Sequence, residues 1–444
     1  MLKSFITFTA TSGRRSVFLG STELKYIRLG WLSREIERTQ DESKEMKRIK
    51  DTWEKVIDID NACHAIINGT RFKRGKKEVR FLLYDRERVK QHRELYHRID
   101  YEKAKPYAEN LIDKLSTKQW KHSAPKHRLQ YCRNRASSKG KWRDLYIPRL
   151  DDHIIQHMVM QANMRAFTKG MHPYCCESVP NRGIEFLRKT VSGWLRNDKQ
   201  LRYFVKLDIR KFFDNIDREK LKEALRKRIK DQGSLWAFDR IIDSAPVACP
   251  VGYYTSPWFA NLYLQDFDWF VEQQLYKVRR GRRIKYVTHY LRYVDDILLL
   301  GTCKADLYKA VRAIVIYLKE NYNLEIKSEW ETKKIGKHEG DDSNKLKDDT
   351  CWLDMGGYKY CKDATILRDG IYLSAKRLAR RMYKQGYYTW HQAQSIISRI
   401  GWAMHCNAKR FLEACILPYV NIKIARRLIS NVAKIEQQRI YCTA

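Results

Sequence analysis

The chain has 444 residues, 43% of them hydrophobic, enough to bury a substantial core, and wholesale disorder is excluded. Lys and Arg total 88 against 52 Asp and Glu, and the resulting charge of +36 repels itself in a compact state unless a polyanion is at hand. Nucleic acid fits best, because neutralising phosphates releases condensed counterions.

Residues 1–50 read as a loosely ordered basic N-terminal extension, Thr/Ser/Arg-rich and then charged, with a more coherent segment from Met46. Met1 to Arg15 has no compact apolar stretch with a cleavage site, and no run of about 18 apolar residues marks a membrane span. The 11 cysteines form no CxxC pair or Cys/His array, which suits reduced thiols in a cytosol and argues against structural zinc. A cytoplasmic location is expected, with no membrane partner.

Helical spacing dominates from Trp53 to Leu115, interrupted by the basic stretch Arg71 to Arg80. Arg133 to Arg149 predicts a basic hairpin turning at Ser137-Ser138-Lys139-Gly140-Lys141. Asp151 to Met164 is helical. Tyr203 to Leu207 is a buried-type strand ending on Asp208, followed by a helix over Arg218 to Ile229. A break at Pro250-Val251-Gly252 precedes one long aromatic helix, Pro257 to Val271. Strands Val287 to Tyr293 and Ile297 to Gly301 are joined through Asp295-Asp296. Residues 332–350 form a polar loop and Gly357 to Leu373 a short sheet. Basic helices complete the chain: Ala375 to Gln385, Trp390 to His405, Ala408 to Ile416 and Ile422 to Ile435.

Two adjacent carboxylates at a tight turn repel one another and are costly unless cations occupy the turn. Alone, Asp295-Asp296 would be an ordinary Asp-rich turn. Asp208 changes that reading, because polymerases use strand-borne carboxylates from separate segments to hold two divalent ions about 4 Å apart. Hard oxygen donors select magnesium.

Three segments in order now resemble the reverse transcriptases, over most of the chain from about Trp53 to Leu417. Phe204 to Phe213 (FVKLDIRKFF) resembles the first palm motif, Pro250 to Pro257 (PVGYYTSP) the second, and Tyr293-Val294-Asp295-Asp296 is similar to the family's YxDD box. The resemblance implies an α+β right-hand polymerase fold: N-terminal helices and fingers over 51–203, a palm over 204–365 and a helical thumb over 366–444. It implies RNA-directed DNA polymerase activity with two Mg2+ ions (Mn2+ as substitute) held by Asp208, the Ile209 backbone carbonyl, Asp295 and Asp296. The implied partners are an RNA template, a DNA or RNA primer and dNTPs, with a small basic accessory protein or a structured non-coding RNA as further candidates.

The same resemblance assigns neighbouring roles. Phe213 stands where the family carries an aromatic gate against the ribose 2′-hydroxyl. Arg143 matches the family arginine that meets the incoming triphosphate, a task suited to a bidentate guanidinium; Lys139 and Lys141 are weaker candidates for the same contact. Gly252 would allow close approach near the nucleotide. Lys327 lies where the family has a lysine near the leaving pyrophosphate, and Met355-Gly356-Gly357 resembles the primer-grip hairpin. The chain departs from the commonest pattern in having Val251 instead of Gln. An aliphatic residue there resembles reverse transcriptases of diversity-generating retroelements, although Pro257 does not match that group. Retron and group II intron enzymes are relatives, anti-phage defence is an alternative role, and an inactive RNA-binding scaffold is the reading from a different class.

Overall fold

The computed structural model describes residues 48–70, 79, 101–133, 140–337, 346 and 349–441. Almost all of the expected N-terminal extension, most of the basic stretch Arg71 to Arg80, and the expected turn residues Ser137, Ser138 and Lys139 lie outside these. Of the extension, Ile49 pairs with Ile229 in a parallel bridge, its N–H donating to the Arg228 carbonyl at 2.9 Å.

The architecture is α+β, built on a five-stranded sheet in the order β3 (Cys175–Cys176), β7 (His289–Tyr293), β8 (Asp296–Gly301), β4 (Tyr203–Asp208), β9 (Lys333–Lys334). β4 and β8 are antiparallel and largely buried, with apolar residues on both faces, interrupted in β4 by Lys206. Val205, Leu207, Ile297 and Leu299 point into one core, against helices that include Leu150–Ala162, Ser256–Tyr263 and Lys304–Tyr322. Phe204, Leu298 and Leu300 point into a second core with Ile184–Asn197 and the small sheet β10 (Leu353–Met355), β11 (Tyr358–Tyr360), β12 (Thr365–Leu367). C-terminal helices Asp369–Gln385, Trp390–Met404 and Ile422–Tyr441 pack around a third cluster. No helix among the described residues is long and apolar enough to cross a membrane.

Several sequence expectations need correction. The hairpin has strands β1 (Lys126–Arg133) and β2 (Gly140–Ile147), so Gly140 and Lys141 belong to the second strand and not to the turn. The single helix Pro257 to Val271 is two, Ser256–Tyr263 and Gln265–Gln273, because Leu264 leaves helical geometry at φ −96° and ψ 13°. The break brings Asp268 against β7. The short sheet stops at Leu367, and a helix already begins at Asp369.

Candidate active site

The register of β4 and β8 sets Asp208 directly opposite Asp296, and that of β7 and β8 sets Tyr293 opposite Asp296. Directly opposed residues share a face. Asp208 and Asp296 therefore lie together with Lys206 and Phe204, at the strand ends where the second core stops. Val294 and Asp295 form the two-residue link. Val294 is buried and β-branched yet adopts φ 56°, a conformation such residues rarely hold without outside constraint.

That constraint is visible. Arg292, fully buried in β7, donates from Nη1 to the Val294 carbonyl at 3.1 Å and to Asn261 Oδ1 at 3.2 Å. Its Nε and Nη2 bind the two oxygens of Asp268 at 2.6 and 2.7 Å, and the Tyr290 hydroxyl donates to Asp268 at 2.5 Å. Burial would disfavour both charges, but the bidentate carboxylate keeps the guanidinium protonated, its pKa well above the usual range.

Each opposed carboxylate has a lysine partner: Lys206 Nζ lies 3.1 Å from Asp296 and Lys327 Nζ 2.7 Å from Asp208. The Lys327 N–H also donates to the Asp208 carbonyl at 2.9 Å. Ile209 donates instead to Asp295, at 3.3 Å, on the other side of the strand. The N–H and C=O of one strand residue point the same way, so the Ile209 carbonyl lies on the Asp295 side.

Burial pushes the Asp295 carboxyl above the usual range, and Asp296 and Asp208 push it further, against a smaller pull from its own backbone and Lys327. Glu177, which the sequence reading did not single out, is raised by burial and by the same Asp295 and Asp296. It sits at φ 73° in a loop where Ser178 and Asn181 are also left-handed, and Asn261 Nδ2 holds its carbonyl at 3.0 Å. The donor chemistry, all hard oxygen with mutual repulsion only partly offset at Asp295, suits a hard divalent cation. Among the described residues no three such side chains converge into a ready metal cage, and Asp208 and Asp296 are each paired with a lysine.

Lys141 and Arg143 are exposed on β2. That strand is anchored by the Tyr146 N–H on the Val251 carbonyl at 2.8 Å. A Cβ on Gly252, at φ 117°, would come within 2.4 Å of the Tyr146 carbonyl, so the close approach its glycine permits in this structure is that of β2. Val251 is half-buried beside it. Phe213 is half-buried in the turn Phe212–Asn215, while Phe212 takes the buried position. Gly356 and Gly357 form the β10–β11 turn at φ 60° and 87°, wedged between Leu187 and Trp402. The Met355 side chain is buried in the second core. A cleft of about 870 Å3 lies at the opposite end of the sheet from the carboxylates, where Trp194 stacks on His289.

The strand register thus gathers Asp208 and Asp296, with Asp295 in the adjoining link, at one end of the sheet. Residues 124–333 match the family model of the reverse transcriptase (RNA-dependent DNA polymerase). The chain is similar to the retron Ec73 reverse transcriptase of Escherichia coli, 29% identical over 178 residues, covering 38% of this chain and 52% of that protein. It is also similar to protein YkfC of Escherichia coli K12, 25% identical over 196 residues, with 37% and 51% covered. The chain thus spans about half the length of these curated relatives. A solved telomerase from Candida albicans, in complex with a fragment of telomeric RNA, aligns at a TM-score of 0.42 and 11% identity over 74% of this chain and 62% of that one.

Proposed function

We propose that the chain polymerises DNA on an RNA template. The observation that carries this reading is the opposition of Asp208 and Asp296 across β4 and β8, with Asp295 in the turn between β7 and β8. Asp208, Asp295, Asp296 and the Ile209 carbonyl would hold two Mg2+ ions, with Mn2+ as a substitute. Bound there, the metal supplies activation of the primer hydroxyl and stabilisation of the leaving pyrophosphate. Lys206 and Lys327 neutralise Asp296 and Asp208, and Lys327 would be placed to meet the leaving pyrophosphate. Arg143, with Lys141 beside it, neutralises the triphosphate of the incoming dNTP. Phe213 closes the space a 2′-hydroxyl needs, and the Gly356-Gly357 turn positions the primer.

Primer extension on an RNA template, with dNTPs and Mg2+, tests the proposal. Extension that disappears in Asp295→Ala is expected. RNA binding with no extension in the wild-type chain would establish the scaffold reading instead.

Two roles divide the finer observations. Val251, apolar beside the nucleotide, favours a diversity-generating retroelement enzyme that copies loosely; the likeness to the retron Ec73 enzyme favours a retron type with a structured RNA partner. Misincorporation by the wild type and by Val251→Gln separates them: high fidelity in both removes the first.

A further inference from the structure

We propose that the ribbon β5 (Tyr276–Arg279) and β6 (Arg282–Lys285) is a second RNA-binding surface, holding the phosphate backbone of a base-paired segment outside the catalytic cleft. The inference rests on the nucleic-acid reading above for its choice of partner. Six of the ten residues from 276 to 285 are cationic: Lys277, Arg279, Arg280, Arg282, Arg283 and Lys285; none is acidic. The two lysines anchor the ribbon at its base, Lys277 on Asp306 at 2.6 Å and Lys285 on Glu272 at 2.5 Å. Among the described residues no carboxylate pairs with the four arginines, and Arg283 lies over the Tyr276 ring at 4.7 Å.

The tip is electrostatically frustrated. Arg279 and Arg282 are directly opposed across the strands, a like-charge pairing that opposes ribbon formation. Between them Arg280 and Gly281 turn the chain at φ 50° and 74°, so a third guanidinium stands on a backbone conformation better suited to Asn or Gly. Val278 is 65% exposed beside them. A charge arrangement that works against its own fold is balanced by a polyanion, and planar guanidiniums on a projecting ribbon suit phosphate oxygens.

Topology separates this surface from the carboxylates. The ribbon leads into β7 at His289, and Lys277 docks at the start of helix Lys304–Tyr322, which follows the far end of β8. The catalytic turn lies at the other end of β7, about 17 Å away for five extended residues. Base-paired RNA is recognised chiefly through its backbone and shape, which an arginine tip can read without sequence.

The test uses the full chain and an RNA stem–loop of about 20 base pairs carrying no primer. Replacing Arg279, Arg280, Arg282 and Arg283 together by Gln is expected to lower the slope of log K against log salt by about 3, at roughly one released counterion per contact. At about 0.1 M salt, affinity should fall at least tenfold. The four Arg→Lys changes keep the charge and should retain most of the binding. Extension of a short primer on a minimal single-stranded template should be unchanged in both variants. Undiminished stem–loop affinity and slope in the Gln variant overturn the proposal. So does a parallel loss of short-template extension, which would place the ribbon in the cleft, or a loss confined to anionic vesicles. Because the stem–loop assay needs no catalysis, it stands even where the polymerase reading fails.

Discussion

Arg292 holds the carbonyl of Val294 at 3.1 Å, so the link that carries Asp295 is fastened from behind by a buried cation. Asp268 balances the charge and Asn261 joins the same guanidinium to the loop of Glu177. Removing Arg292 alone would leave Asp268 buried and uncompensated, a change that costs about 3–5 kcal/mol. The informative variant is Arg292→Met with Asp268→Leu and Tyr290→Phe, which removes the charges and the hydroxyl together. Its melting temperature should stay near the wild-type value while primer extension falls at least tenfold, because Val294 is no longer held at φ 56°. Wild-type extension rates in a well-folded triple variant would show that the tether does not position the carboxylates.

Gly252 couples the β1–β2 hairpin to the second motif. An alanine there meets the Tyr146 carbonyl at 2.4 Å and must also accept φ 117°. Strain of this kind costs on the order of 1–3 kcal/mol. Gly252→Ala is expected to lower thermal stability by that amount and to raise the KM for dNTP more than it lowers kcat, since Arg143 rides on the displaced strand. A variant with native stability and native KM would remove the coupling.

The strand pair β4–β8 was legible because its residues are mostly apolar and buried, Phe204, Val205 and Leu207 in one strand and Ile297 to Leu300 in the other, each set flanked by Asp. The register that sets Asp208 opposite Asp296 was not legible and comes from the strand pairing itself. Arg292 was less visible, although an arginine between Leu291 and Tyr293 in a buried strand was a signal: such a charge needs a partner, and Asp268 lies 24 positions away. Glu177 left no sequence signal, since only the loop folding beneath Asn261 brings it near the turn. Helix Lys304–Tyr322 did carry its period, in Leu307, Ala310, Val311, Ile314 and Leu318. The bend at Leu264 depends on tertiary contacts of Gln265 and Asp268, and local propensity does not encode it.

Phe213 differs from Phe212 in keeping part of its ring accessible. If that ring excludes a 2′-hydroxyl, Phe213→Ala should raise ribonucleotide incorporation by roughly tenfold or more, a discrimination of about 1.4 kcal/mol or above. Stability should fall only modestly, because Phe212 carries the packing. Competition between labelled dNTP and rNTP reads the ratio directly, and an unaltered ratio would sink the gate assignment.

Glu272 offers a pH test at the base of the arginine ribbon. His172 at 3.8 Å and Lys285 at 2.5 Å hold its carboxyl at about 2, against the opposing effect of burial. The folded value lies below the model-peptide carboxylate value, so the charged pair stabilises the fold above about pH 4.5 and loses that contribution as pH falls toward 2. Partial solvent exposure screens the interaction, which keeps its worth well below the full linkage value. Glu272→Gln should therefore lower the melting temperature by a few degrees at pH 7, and the difference from wild type should shrink steadily between pH 4.5 and the acid limit of the fold. A gap that is constant across that range would mean that Glu272 contributes through packing alone.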